Sequence, residues 1–424
     1  MKNIPRKLSM TASALLISLF MSCAQVNSND HQSFSPEGYF QETDTTTQDF
    51  DIQTPSNIKF FVEVSGSMNG FFRANVPTHF KEDFWKIINY YSTISSPITI
   101  LTNSGTQGAQ YDMNSFRNKM NTGAFVSTAS TKVPDMIKTI INRLDVEKGE
   151  VAVLVSDMVY DPVGSAAPSV LLSEYSTDIC KIFADFGKSA CLICATSNFY
   201  NAQRNVIFQR SPYYYLIIGN QENVAEVRNT ISSLLEIKGR FVDNIESGFD
   251  YGKIKYSFGI SNRCDQLDEG EPTFVNYQEA EEGDTCKIEL NVQLENYRWL
   301  MTNPNCFRSS FKAKTIYGSD LKVGDIDMKV DNITGKNHIL KRKAVAKVDL
   351  LLSNMVTDSE VIEWTLDIPQ TNYSLFSEFF NDATNPNDHS KSYSVLDFIN
   401  GIFHGGMVST DLKNNYILIS KNDN

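Results

Sequence analysis

Glu63, Ser65 and Ser67 stand at alternate positions where the apolar run Phe60-Phe61-Val62-Glu63-Val64 meets the polar stretch Ser65-Gly66-Ser67-Met68-Asn69-Gly70. In an extended chain successive side chains point to opposite faces, so this spacing turns one carboxylate and two hydroxyls to the same side. Oxygen ligands of this kind suit a hard divalent cation, Mg²⁺ first, with Mn²⁺ or Ca²⁺ as alternatives. Because Mg²⁺ keeps several waters in a near-octahedral shell, a site of few charges plus hydroxyls leaves a position for an oxygen of a partner. A metal-dependent binding site is the first expectation.

The elements that must position these residues follow from hydrophobic periodicity. Aliphatic and aromatic runs at Ile58–Val64, Ile98–Thr102, Val151–Ser156, Ala190–Thr196 and Tyr213–Ile218 read as strands buried on both faces. Between and after them run apolar stripes with helical spacing: Phe80, Phe84, Ile87 and Tyr91; Val133, Ile137, Ile140 and Leu144; Tyr175, Ile179, Phe183 and Phe186; Val224, Val227, Ile231 and Leu234. The alternation predicts an α/β domain over residues 58–240, a doubly wound, mostly parallel sheet with helices on both faces. Ligands of such sheets bind at the carboxyl ends of the strands, which is where Ser65 and Ser67 fall.

At this point the chain resembles the von Willebrand factor A (vWA) family, whose metal-ion-dependent adhesion site carries Asp-x-Ser-x-Ser after the first strand. Here the segment reads Glu63-Val64-Ser65-Gly66-Ser67, with glutamate in place of aspartate. The resemblance also implies a threonine ahead of a helix, for which Thr131 is the best match, with Thr128 and Ser130 as alternatives. It implies an aspartate at the end of a central strand, matched by Asp157 after Val151-Ala152-Val153-Leu154-Val155-Ser156. The implied metal set is thus Glu63, Ser65, Ser67, Thr131 and Asp157, with Glu63 acting through a water and Asp161 as a rim candidate. The implied role is to bind a protein or other acidic ligand through the metal's open position.

Beyond residue 240 the pattern changes. Tyr251–Gly259, Cys286–Leu294, Ser309–Ile316, Ala344–Leu352 and Val361–Leu366 are β-rich and separated by Gly, Asn, Asp and Pro, so residues 241–424 are expected to form a β-sandwich-like domain. It is expected to end in a short helix around Tyr393–Ile402 and a last strand at Asn415–Ile419. Cys191-Leu192-Ile193-Cys194 has redox-motif spacing, yet it lies in a strand, where residues three apart face opposite ways, so buried core cysteines are expected. The five histidines show no ligand spacing.

Net charge is −12 and no basic stripe interleaves with aromatics, which argues against a nucleic-acid partner. Lys341-Arg342-Lys343 reads as a solvated strand end, and the acidic stretch Asp265–Asp284 as a solvated loop.

The amino terminus gives the setting. Lys2, Arg6 and Lys7 precede an apolar run from Met10 to Met21, the order of a secretory signal peptide over residues 1–22 and too short to span a bilayer. Leu19-Phe20-Met21-Ser22-Cys23 resembles the bacterial lipoprotein cleavage site, which implies lipidation of Cys23 and a membrane anchor in the cell envelope, with Ala24 tilting toward the outer membrane. Residues 23–57 are polar and poor in aliphatics, as befits a flexible tether. The function expected is that of an anchored, non-enzymatic binding protein. The alternatives are a structural envelope lipoprotein with a degenerate metal site and a metal-dependent hydrolase.

Overall fold

The computed structural model describes residues 52–102, 107–125, 132–160 and 168–249, and shorter segments between 254 and 421. Strands β1 (Asn57–Glu63), β2 (Ile98–Leu101), β3 (Gln107–Tyr111), β4 (Glu150–Ser156), β5 (Ser189–Tyr200), β6 (Val206–Gly219) and β7 (Phe241–Ser247) form one sheet in the order β3-β2-β1-β4-β6-β5-β7. β1 is parallel to both β2 and β4. Every other neighbour in the sheet is antiparallel.

The expectation of a mostly parallel sheet is therefore corrected to a mixed one. The physical reason lies at residues 201–205, a turn too short for a crossover, so β5 and β6 pair as a hairpin. No helical stripe separates these two strands in the sequence.

Alternation along the central strands sends side chains into two cores. Ile58, Phe60 and Val62 of β1 and Val151, Val153 and Val155 of β4 pack on one face. Phe61, Ala152 and Leu154 pack on the other. Helices α1 (His79–Tyr90), α2 (Met113–Thr122) and α5 (Gln221–Glu236) supply Phe84, Phe116 and Ile231 to the first core. Helices α3 (Val133–Ile141) and α4 (Pro168–Phe186) supply Ile137, Tyr175 and Phe183 to the second. Caps fix where the helices begin: Thr78 Oγ1 accepts from Lys81 N at 3.2 Å, and Asp112 Oδ1 accepts from Asn114 N at 2.9 Å and Ser115 N at 3.0 Å. Cys191 and Cys194 are both buried and contribute to opposite cores.

The rest of the chain is β-rich. Strands β8 (Tyr256–Phe258), β11 (Cys286–Gln293), β13 (Asp320–Thr334) and β14 (Leu340–Ser353) make an antiparallel sheet ordered β13-β14-β11-β8. Strands β9 (Cys264–Gln266), β10 (Phe274–Tyr277), β12 (Phe311–Thr315), β15 (Ser359–Leu366) and β16 (Asn415–Lys421) make a second, ordered β12-β15-β16-β10-β9, in which β10 and β16 run parallel. Tyr256 of the first sheet meets Trp364 of the second edge to face at 5.1 Å, and its hydroxyl donates to Tyr416 O at 3.2 Å. Lys341, Arg342 and Lys343 lie on β14, in register with Ile333, Asn332 and Asp331 of β13.

The expected boundary at residue 240 falls immediately before β7, the strand that completes the seven-stranded sheet. Among the described residues, three helices belong to the carboxyl-terminal part: α6 (Pro304–Ser310), α7 (Ser377–Phe380) and α8 (Val395–Gly405). Helix α8 returns to the second core, where Phe398 and Ile402 join Tyr175 and Ile179. The α/β layer thus draws on both halves of the chain.

The approach of α8 to α4 is close because of glycine. A Cβ on Gly401 would fall 2.7 Å from both Ser176 O and Ile179 Cβ, and one on Gly405 would overlap Cys180 O. In an exposed helix interior, replacing glycine by alanine stabilises by roughly 0.5–1 kcal/mol. At Gly401 the steric term outweighs this, so Gly401→Ala is expected to destabilise by about 1–3 kcal/mol. Urea unfolding checks it, and a stabilised variant would contradict the packing described.

Candidate metal and ligand site

Two parallel strands end side by side at the site. Register pairs Val62 with Val155, so Glu63, the last residue of β1, lies beside Ser156, the last residue of β4. Ser156 Oγ donates to Glu63 Oε2 and accepts from Met158 N, the latter at 2.7 Å. Asp157 follows directly, and its Oδ1 accepts from Val159 N at 3.2 Å. Ser65 Oγ and Ser67 Oγ are 2.8 Å apart. Ser67 also lies close enough to the Asp157 carboxylate to favour its charged form, which draws the two segments together.

The chain reaches Ser67 by a turn rather than by continued strand alternation. Gly66 is helical (φ −61°, ψ −37°) and Ser67–Gly70 form a 3₁₀ turn. That turn is backed by Phe199, whose ring occupies the space a side chain on Gly70 would need. Phe199 is itself stacked on His389 at 4.3 Å. On the other strand, Met158 adopts φ 56°, a left-handed conformation that costs a non-glycine residue on the order of 1 kcal/mol. Its side chain is buried in the second core, which holds the bend that follows Asp157.

The electrostatics follow from burial. Glu63 is 0% exposed, Asp157 4% and Ser65 3%, whereas Ser67 is half-buried. Desolvation, and after it the charge of Glu63, push the Asp157 carboxyl up to about 8; hydrogen bonds from Ser67 and from the Val159 backbone offset part of this. Two carboxylates in so dry a site do not both ionise unless a cation joins them. Asp157 Oδ2 is buried and has no hydrogen-bond partner, an arrangement native proteins ordinarily avoid. The site therefore has an unfilled acceptor, two competing carboxylates and two hydroxyls within one bonded cluster. Among the described residues no three His, Cys, Asp or Glu side chains gather as a metal-holding group, so the donor set is two carboxylates with hydroxyls.

Of the residues expected from sequence, the structure brings together Glu63, Ser65, Ser67 and Asp157. Thr131, with its alternatives Thr128 and Ser130, lies outside the described residues, as do Asp161 and Cys23. Sequence reasoning gave no role to Ser156, the hydroxyl that holds Glu63. The sequence pattern carries no signal for it, because the pairing of β1 with β4 that sets Ser156 beside Glu63 is a tertiary contact.

In comparisons with known proteins, no family model matches the chain, and neither a curated protein nor a solved structure matches it.

The raised Asp157 carboxyl has a consequence for stability. With divalent ions removed by a chelator, the native state keeps a proton that the unfolded chain releases above about pH 4. Stability is therefore expected to fall as pH rises from that range toward about 8, by at most tenfold in the unfolding constant per pH unit. Asp157→Asn should flatten this dependence. Urea unfolding of both proteins across that range decides it, and equal slopes would contradict the assignment.

Proposed function

We propose that this chain is a membrane-anchored, extracytoplasmic binding protein whose α/β layer takes a divalent cation and, through it, an acidic group of a protein partner. The observation that carries the reading is the buried, unpartnered Oδ2 of Asp157 beside a second buried carboxylate and a pair of hydroxyls. These residues fit a hard cation: the donors are all oxygens, and the charge of Glu63 and Asp157 calls for a counter-charge. Asp157, Ser65 and Ser67 would hold the ion, with Glu63 at one remove, kept in place by Ser156. A bound Mg²⁺ or Mn²⁺ would supply positive charge and an open position for a carboxylate oxygen.

The resemblance of Glu63-Val64-Ser65-Gly66-Ser67 and Asp157 to the vWA adhesion site supports the same reading and adds Thr131 as a ligand. Binding is favoured over catalysis because the two serines bond each other instead of a base that would activate them. Anchoring rests on Cys23 and the polar tether after it; among the described residues no helix is long and apolar enough to cross a membrane. A second reading, a structural envelope lipoprotein with a decayed metal site, draws on the Ser156 bond that occupies one oxygen of Glu63.

Asp157→Ala separates the two. The variant is expected to lose Mn²⁺ binding in titration calorimetry while keeping its circular dichroism and cooperative unfolding, since it costs one long hydrogen bond from Val159 N and removes a buried carboxyl beside Glu63. Loss of cooperative unfolding would make Asp157 a structural residue and favour the second reading.

A further inference from the structure

Ser394 gives up the role its position offers. It stands at the N-cap of α8, where a serine hydroxyl ordinarily accepts from the first turn of the helix, yet it makes no such bond and adopts φ 70°, a left-handed conformation unfavourable for a residue with a side chain. Its Oγ instead accepts from Tyr160 N at 3.1 Å and donates to Tyr393 O. Tyr160 follows Asp157 by way of the left-handed Met158. Strain of this kind persists only where the surroundings over-determine it.

Earlier in the same segment the chain reaches the other half of the site. The His389 ring lies on Phe199 at 4.3 Å and 22°. Phe199 fills the space beside Gly70 and meets Phe71 edge to face at 5.0 Å, so it supports the turn that carries Ser67. His389 O accepts from Ser211 Oγ, and Ser392 N donates to Phe379 O at 2.7 Å, which pins the segment to β6 and α7. It is also braced internally, since Lys391 N donates to Asp388 O at 3.1 Å and Ser390 N to Asp388 Oδ1 at 3.0 Å. One braced stretch of chain therefore touches the supports of both loops that carry site residues past the strand ends.

We infer that residues 389–394 form a clamp, with His389 and Ser394 as positioning residues that hold the Ser67 turn and the Asp157 bend at a fixed separation. His389 acts through Phe199, and Ser394 through Tyr160. The clamp is a property of the metal-free fold; its consequence, a preset spacing of Ser67 and Asp157 about an ion, rests on the cation reading. Oxygens set in place before an ion arrives bind it more tightly than oxygens that must be ordered on binding. The clamp also makes the site depend on the carboxyl-terminal part of the chain.

Three variants of the full chain test it: His389→Ala, which removes the ring; His389→Phe, which keeps a flat ring on Phe199; and Ser394→Gly, which removes the hydroxyl while tolerating the left-handed backbone. Each is compared with the unaltered protein by amide hydrogen exchange without metal, by Mn²⁺ titration calorimetry and by thermal unfolding. Exchange is expected to rise several-fold over residues 66–71 in His389→Ala and over residues 157–160 in Ser394→Gly, each with a loss of Mn²⁺ affinity on the order of tenfold. His389→Phe is expected to restore both readouts, and Ser394→Gly to unfold at an unchanged or higher temperature. Unchanged exchange in both loops would overturn the inference, as would raised exchange with unaltered Mn²⁺ affinity, which is what ordinary packing gives. Failure of His389→Phe to restore them would also overturn it, by making the imidazole itself the cause. Absence of Mn²⁺ binding to the unaltered protein would overturn the cation reading, and the exchange results would then uphold or overturn the clamp on their own.

Discussion

The repulsion between two buried carboxylates, Glu63 and Asp157, is the constraint on which this structure turns. Each sits at or just past the end of one of two adjacent parallel strands, and each is almost wholly withdrawn from water. A carboxylate in such a place is stabilised only by donors or by opposite charge. Ser156 serves Glu63, while the Val159 backbone serves one oxygen of Asp157. The remaining oxygen has no protein partner. A proton relieves the repulsion up to about pH 8; the divalent cation proposed above would take its place and leave room for a further ligand.

The fold makes this arrangement in a way that needs both halves of the chain. β1, flanked by β2 and β4, aligns the two acid-bearing ends, and the 3₁₀ turn against Phe199 brings the serines across. Strain at Met158 is held by burial in the second core. That core is closed by α8, a helix contributed from beyond the β-rich segments and seated on α4 through Gly401 and Gly405.

Much of the frame was legible in the sequence because it rests on local periodicity. The runs at Ile58 and Val151 became neighbouring strands, and the stripes through Phe84, Ile137, Phe183 and Ile231 became helices on two faces. Pairing direction was less legible, since nothing local to Tyr213–Ile218 says that β6 folds back on β5 and inserts beside β4. The return of α8 was hidden for the same reason: its apolar spacing says that it packs, without saying on what. At the site, alternation correctly grouped Glu63 with Ser65, but Ser67 arrives through a turn that strand reasoning does not contain.

The cluster of Glu63, Ser65, Ser67 and Asp157 is proposed to take a divalent cation. Titration calorimetry of Mg²⁺ and Mn²⁺ into the full chain, beside its Ser65→Ala/Ser67→Ala double variant, tests it most directly. Saturable heat with one ion per chain is expected in the unaltered protein, and its loss in the variant. Heat absent from both proteins, or present equally in both, would contradict it.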